Sequence, residues 1–195
     1  MNTLLKSATI IDKTSDFHNN KVDILIENGI ISNIDFNIIN PKNYKEINLT
    51  NLHVSRGWFD SSVSFGEPGF EDRETIDNGL KVASRSGFTS IALQPNTNPI
   101  SESRSQIEYI KNKSVNELVE IYPIGALTNF KSELTEMYDM KSGGAICFGD
   151  YKKPIINANT LKLALLYSSN FNGIILSFPE DKVLSNNGVM NENIT

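Results

Sequence analysis

The sequence predicts an α/β fold, a partial (β/α)8 TIM-type barrel of about five βα units preceded by a small N-terminal β-subdomain. Three observations predict it. Apolar, β-branched runs recur about every thirty residues, the usual length of a βα unit. Amphipathic helical patterns lie between those runs. The first fifty residues instead carry strand and turn patterns alone. The 195-residue chain suits one large or two small domains. The change of texture after Asn51 divides it into a β-subdomain, 1–54, and the first part of a barrel, 55–195.

The elements follow in order. Leu4 to Ile11 and Val22 to Ile26 read as strands, and Glu27-Asn28-Gly29 turns the chain into Ile30 to Ile34 as a hairpin. Barrel strands are predicted at Trp58 to Phe65, Ser90 to Gln94, Glu120 to Ala126, Ala145 to Phe148 and Gly173 to Phe178. Helices are predicted over Glu74 to Ser86, Glu102 to Lys113, Glu133 to Ser142 and Asn159 to Ser169. In the last, Leu161, Ala164, Leu165 and Ser168 share one face, as a sheet-covering helix requires. Gly143-Gly144 is expected to stop the third helix through a left-handed residue. Five units fit a doubly wound sheet as well as part of a barrel. A barrel stopping after its fifth strand would leave unpaired edges, so the chain is expected to be a fragment of a longer protein.

Composition narrows the function. The net charge is −5 with no clustered basic stripe, which gives no electrostatic reason to bind nucleic acid. No apolar run approaches the ~18–20 residues of a membrane span. No signal-peptide pattern opens the chain, so a cytoplasmic location is the expectation. The single cysteine, Cys147, excludes an internal disulfide and reads as a buried thiol. Only two histidines are present, His18 in a polar loop and His53 before the first barrel strand. Standing alone and far apart, they cannot build a metal centre. His18 is expected to be exposed, and His53 to pack against the β-subdomain.

In α/β barrels the chemistry sits at the C-terminal ends of the strands. Here those ends are Asp60 to Gly69, Pro95 to Pro99, Gly149 to Lys153 and Pro179 to Asp181. The run Gly57-Trp58-Phe59-Asp60-Ser61-Ser62-Val63-Ser64-Phe65-Gly66-Glu67-Pro68-Gly69-Phe70-Glu71 resembles the dihydroorotase signature G-F-x-D-x-H-x-H-x-R-E-P-G-x-E, from the amidohydrolase superfamily. Glu74-Thr75 with Gly79, Gly87-Phe88-Thr89, Pro95-Asn96-Thr97-Asn98-Pro99 and Gly188-Val189-Met190-Asn191-Glu192 continue the resemblance in the same order. It covers nearly the whole chain. It implies the superfamily's barrel and its β-rich N-terminal region, a zinc cofactor in active members, hydrolysis of a cyclic amide, and a place in pyrimidine biosynthesis.

The departures fall on the family's functional positions. Ser62 and Ser64 stand where the family has metal-binding histidines, Gly66 where it has the arginine that grips substrate, and Phe178 where it has a further histidine. Asp150 matches the acidic ligand after the fourth strand, and Asn96 the asparagine that helps hold the substrate carboxylate. A neutral hydroxyl is a poor zinc ligand beside imidazole, thiolate or carboxylate. Without the metal, nothing lowers the pKa of an attacking water from 15.7 towards about 7. No cofactor is therefore expected, and no catalytic residue is assigned.

Local readings compete with these roles. Asp60 reads as a hydrogen-bond acceptor for loop amides, with a residual metal-binding or proton-relay role as the rival. Asn96 fits a substrate contact or a self-capped turn equally. Asp150 is read as solvated or paired with Lys152 or Lys153, against a role as a lone metal ligand. Glu67-Pro68-Gly69 reads as a turn. A serine-nucleophile role for Ser62 or Ser64 fails for want of a nearby base.

Three functions follow from the resemblance. The first is a non-catalytic homologue acting as a structural partner of aspartate transcarbamoylase, or assembling with itself. The second is an active cyclic amidohydrolase with a rebuilt site that uses Asp60, Asp150 and residues beyond Thr195. The third is a small-molecule sensor that keeps the old pocket.

Overall fold

Strand pairing organises the chain in this computed structural model, which describes residues 2–185 and 188. Two compact units divide between Gly57 and Trp58. The first holds β1 (Thr3–Ile11), β2 (Lys21–Glu27), β3 (Ile30–Asp35), β4 (Lys45–Ile47) and β5 (His53–Ser55). Its sheet runs β3-β2-β1-β4, with β5 also pairing β1. The expected hairpin forms through Asn28 and Gly29, Glu27 facing Ile30. Leu4, Ala8, Val22 and Ile24 fill the core of this unit. Asp23 is buried among them and accepts bonds from Ser7 N, Ile38 N and Lys6 Nζ, which meets the usual requirement that a buried charge be paired. The short strands β4 and β5 escape a reading by periodicity, since three residues give no repeat to detect.

The second unit is a five-stranded parallel sheet, order β10-β9-β8-β7-β6, with helices between the strands. Its strands are β6 (Trp58–Val63), β7 (Phe88–Leu93), β8 (Glu120–Gly125), β9 (Cys147–Gly149) and β10 (Ile175–Leu176). The intervening helices are α1 (Ile76–Arg85), α2 (Arg104–Asn112), α3 (Met137–Ser142) and α4 (Ala158–Ser169), followed by α5 (Lys182–Ser185). All five predicted strands and four predicted helices are present, most of them shorter than the pattern suggested, while β7 and α4 are each one residue longer. Thr75 caps α1 by accepting from Asn78 N, and Asn157 caps α4 by accepting from Asn159 N. At α2 the Gln106 side chain reaches back to Ser103 N.

Two buried clusters lie between the sheet and its helices. Ile76, Leu80, Ile91 and Ile121 belong to one, and Ile107, Met137, Met140 and Phe148 to the other. The predicted first strand stops early because Phe65 leaves the strand line and enters the first cluster. The third helix starts late because Asn129 Oδ1 accepts from Lys131 N and Glu133 N, while Thr135 Oγ1 bonds the Ala126 carbonyl. Side chains thus bind the backbone of this segment in a looped form that competes with helix. That helix ends at Gly143, and Gly144 takes the positive φ, 107°. On α4 the predicted face is half right. Ala164 and Ser168 are buried and Leu161 is half-buried, but Leu165 is 52% exposed.

Candidate functional site

The C-terminal ends of β6 to β10 carry the site. The signature segment leaves β6 through Ser64 to Gly69, and here the backbone explains one departure directly. Gly66 has φ 115°, and a Cβ there would lie 2.9 Å from the Phe70 carbonyl oxygen. Any L side chain, arginine included, would be strained at this position. Gly69, at φ 101°, packs against the Asn98 backbone so closely that a Cβ would collide with its carbonyl oxygen.

The hydroxyls that replace the expected imidazoles bond their neighbours. Gln94 Nε2 donates to Ser62 Oγ at 3.1 Å, and Arg73 Nη2 donates to Ser64 Oγ at 3.2 Å. Asp60 Oδ1 accepts from Ser62 N at 3.0 Å, as a loop-amide acceptor should. The Asn96 amide orientation that satisfies its neighbours turns its oxygen to Ser64 Oγ (2.7 Å) and Arg73 Nη2 (3.3 Å). Its nitrogen then faces the Gln94 carbonyl at 3.2 Å. Asn96 is thus joined to the end of β6 rather than closed on its own turn.

Asp150 corrects an expectation. Its partners are not Lys152 and Lys153; Oδ1 accepts from Leu127 N and Thr128 N, both at 3.0 Å, and Oδ2 from Thr128 Oγ1 at 2.6 Å. Two backbone amides and a hydroxyl outcompete mobile lysines because the rigid turn after β8 presents its donors already aligned, with no long side chain to order. The carboxylate therefore ties the end of β9 to the turn after β8. Both lysines are exposed.

Three openings flank Asp150, one of them, of about 150 Å³, lined also by Thr128, Ser132 and Thr160. A cavity of about 240 Å³ is lined by Ser62, Gln94, Asp150 and Phe178 among others. The third, of about 230 Å³, is lined by Asn96, Phe130, Asp150, Tyr151 and Lys153. Ser62, Asn96, Asp150 and Phe178 are thus gathered at one end of the sheet. Gly66 is buried beside Phe70 and offers no functional group.

The histidines contribute nothing to this end. His53 lies in β5 of the first unit and is exposed, which corrects the expectation that it would be packed; its Nδ1 is 2.7 Å from the Asn51 carbonyl. His18 is half-buried rather than exposed, its Nδ1 shielded and without a hydrogen-bond partner among the described residues. Cys147 is buried, and that burial pushes its thiol up to about 11, so it is no nucleophile at neutral pH.

The donors do not suit zinc. Two neutral hydroxyls, a phenyl ring and a carboxylate already accepting three hydrogen bonds would have to serve where imidazoles are wanted. Among the described residues, no three of His, Cys, Asp or Glu gather closely enough to hold an ion.

Two site residues escape the sequence reading. Glu67 reads as part of a turn, yet it is buried and holds two helices. Its Oε2 accepts from Ile76 N at 2.7 Å, and its Oε1 pairs with Lys113 Nζ at 3.0 Å. Arg73 carries no motif signal beyond its place in the charged run Glu71 to Glu74. Of the segment resembling the family at 188–192, only Gly188 lies within the described residues.

Comparison with known proteins agrees with this geometry. Residues 53–194 match the family model described as Dihydro-orotase-like. The dihydroorotase of Pelotomaculum thermopropionicum is 38% identical over 194 residues, covering 98% of this chain and 45% of that protein. That of Syntrophus aciditrophicus is 37% identical over 197 residues, with 98% and 46% covered. The chain spans about half the length of the curated relatives it matches. Among solved structures, the L-hydantoinase (dihydropyrimidinase) of Arthrobacter aurescens superposes with a TM-score of 0.69 at 17% identity, covering 89% of this chain and 39% of that one. A dihydroorotase gives 0.60 at 14%, with 89% and 50% covered. These two likenesses show the shared half-barrel fold. With its signature order, its curled parallel sheet and the family match over residues 53–194, the chain belongs to the dihydro-orotase-like family.

Proposed function

We propose that this chain is a non-catalytic dihydroorotase-like protein of pyrimidine biosynthesis, serving as a structural partner of aspartate transcarbamoylase. One observation carries the reading. At the strand ends the polar groups are spent on one another: Ser62 on Gln94, Ser64 on Asn96 and Arg73, and Asp150 on the 127–128 turn. A hydrolytic site needs a group that activates water, by metal, general base or both. Hydroxyls bonded to Gln94, Asn96 and Arg73 and a carboxylate already accepting three hydrogen bonds supply neither. What remains is a rigid half-barrel able to present surfaces, and the curated relatives' name supports the pathway.

The test uses the full-length protein, mixed with aspartate transcarbamoylase from the same organism. Co-elution at a defined stoichiometry on size exclusion, without dihydroorotate turnover, is the expected result. Turnover comparable to that of an active dihydroorotase would overturn the non-catalytic half of the proposal. Separate elution would overturn the partnership, leaving self-assembly as the structural role.

A further inference from the structure

The structure assigns the outward face of α4 as a two-fold contact with a second copy of this chain, an antiparallel α4–α4 pair in which Leu163 of each copy meets Leu166 of the other. At about 100° per residue, four faces of the helix can be told apart. Ala164 and Ser168 are buried towards the sheet. Thr160 and Tyr167 lie towards α3 and the segment before it: Thr160 lines a cavity with Thr128 and Ser132, and Tyr167 Oη is 3.5 Å from Glu136 Oε2. Leu161 and Leu165 lie on the other flank, where a parallel βα sheet places the helix that follows β10. Asn159, Leu163, Leu166 and Asn170 remain, all exposed, on the face turned away from the sheet and from both flanks. Leu163 is 47% and Leu166 57% exposed, so neither the sheet nor a neighbouring helix of the barrel covers this leucine pair.

The spacing commits the face to a second copy. Asn159, Leu163, Leu166 and Asn170 recur at alternating intervals of four and three residues, as in a coiled-coil seam. The order Asn-Leu-Leu-Asn reads the same in both directions, so an antiparallel pair sets Leu163 against Leu166 twice and Asn159 against Asn170 twice. That is the self-complementarity an isologous two-fold interface requires. The amides at the two ends can donate to and accept from each other, which fixes the register as a polar seam residue does. Charge acts in the same direction. The chain carries −5, so two copies repel over most of their surface. Between Lys153 and Glu180, however, Lys162 is the only charged residue, and depletion of charge marks the core of an interface. One helix pair buries less than the ~800 Å² per partner of a standard interface, so a reversible dimer is expected. The contact uses nothing from the strand-end rim and goes beyond the proposed function rather than resting on it.

Sedimentation velocity of the full-length protein from about 1 to about 100 μM tests the contact. The wild type is expected to pass from monomer to dimer across that range. Leu163→Glu and Leu166→Lys should each remain monomeric with unchanged thermal midpoints, because both positions are exposed. Mixed in equal amounts they should dimerise again, since the mixed pair sets the new carboxylate against the new ammonium and keeps one Leu163–Leu166 contact. A wild type still monomeric at about 100 μM would overturn the contact. So would dimers of either single variant at wild-type strength, or a mixture of folded variants that stays monomeric. Leu163→Ala combined with Leu166→Ala covers the case in which a charged variant fails to fold: dimerisation at least tenfold weaker is expected, and unchanged dimerisation would overturn the contact. A wild type that is monomeric alone, but whose co-elution with aspartate transcarbamoylase is abolished by Leu163→Glu, would overturn the self-pairing, give the face to that enzyme and leave the proposed function standing.

Discussion

The stretch from Ser62 to Gly66 and the stretch from Glu67 to Gly79 adjoin in sequence, yet they depart from the family pattern very differently. In the first, the positions expected to hold metal and substrate carry hydroxyls and a bare glycine. In the second, the Glu-Pro-Gly turn, Glu74-Thr75 and Gly79 all match. The structure supplies the reason. Glu67 joins the turn to α1 and α2, Gly69 packs on Asn98, and Gly79 packs under the Phe65 ring. These residues hold the half-barrel together whatever it does. Ser62 and Ser64 sit at a rim where a lost imidazole leaves no hole in the core, and where hydroxyls find partners in Gln94, Asn96 and Arg73.

The comparison predicts a graded set of effects. Gly69→Ala should be the most damaging, since it adds a Cβ at positive φ into the Asn98 backbone. A loss of about 2–4 kcal/mol in urea unfolding is expected, and a loss under about 0.5 kcal/mol would mean that the segment is not tightly packed. Glu67→Gln should come next. Breaking the Lys113 pair is expected to cost about 1–3 kcal/mol, towards the lower part of the range for buried pairs because the Lys113 side chain is 33% exposed.

The same residue predicts a pH dependence. Burial alone would raise the Glu67 carboxyl above its ordinary 4.5, but the Ile76 amide and the Lys113 ammonium outweigh it and the net shift is downward. A depressed folded-state value stabilises above the unfolded pKa, and that contribution disappears as pH falls below about 4.5 and through the folded value. Unfolding measured from pH 7 to pH 3 should therefore show a shallower acid-side loss in Glu67→Gln than in the wild type. Parallel curves would contradict the assignment.

At the rim the effects should be smaller. Asp150→Asn is expected to cost about 1 kcal/mol, as one acceptor oxygen cannot serve three donors. Lys152→Ala with Lys153→Ala should cost nothing measurable in the same unfolding assay, the reverse of what an Asp150 ion pair would require. Ser64→Ala should cost about 0.5 kcal/mol or less. A rim substitution more harmful than Gly69→Ala would invert the comparison.

How much was legible follows from the same physics. The five parallel strands and four helices announce themselves through apolar runs and 3.6-residue periodicity, because burial imposes those repeats. The register of element ends does not, and so Phe65 and residues 133–136 read from sequence as parts of longer elements than they form. The site's location was readable from strand-end logic and from the motif. Its wiring was not. Asp150 finds its donors at Leu127 and Thr128, more than twenty residues away, and neither has a spacing signature. Arg73 escaped notice because a single arginine in a charged loop gives no pattern until Ser64 and Asn96 are brought beside it.

The proposed function rests on a strand-end rim where hydroxyl and amide groups and Arg73 bond one another at the positions expected to hold metal ligands. Elemental analysis of the full-length protein, purified without chelators and equilibrated with excess zinc before desalting, tests it most directly. The account predicts retained zinc far below one ion per chain, unchanged by Asp150→Asn. One tightly held ion per chain, lost on Asp150→Asn and located between Ser62, Ser64 and Asp150 by anomalous scattering, would contradict it.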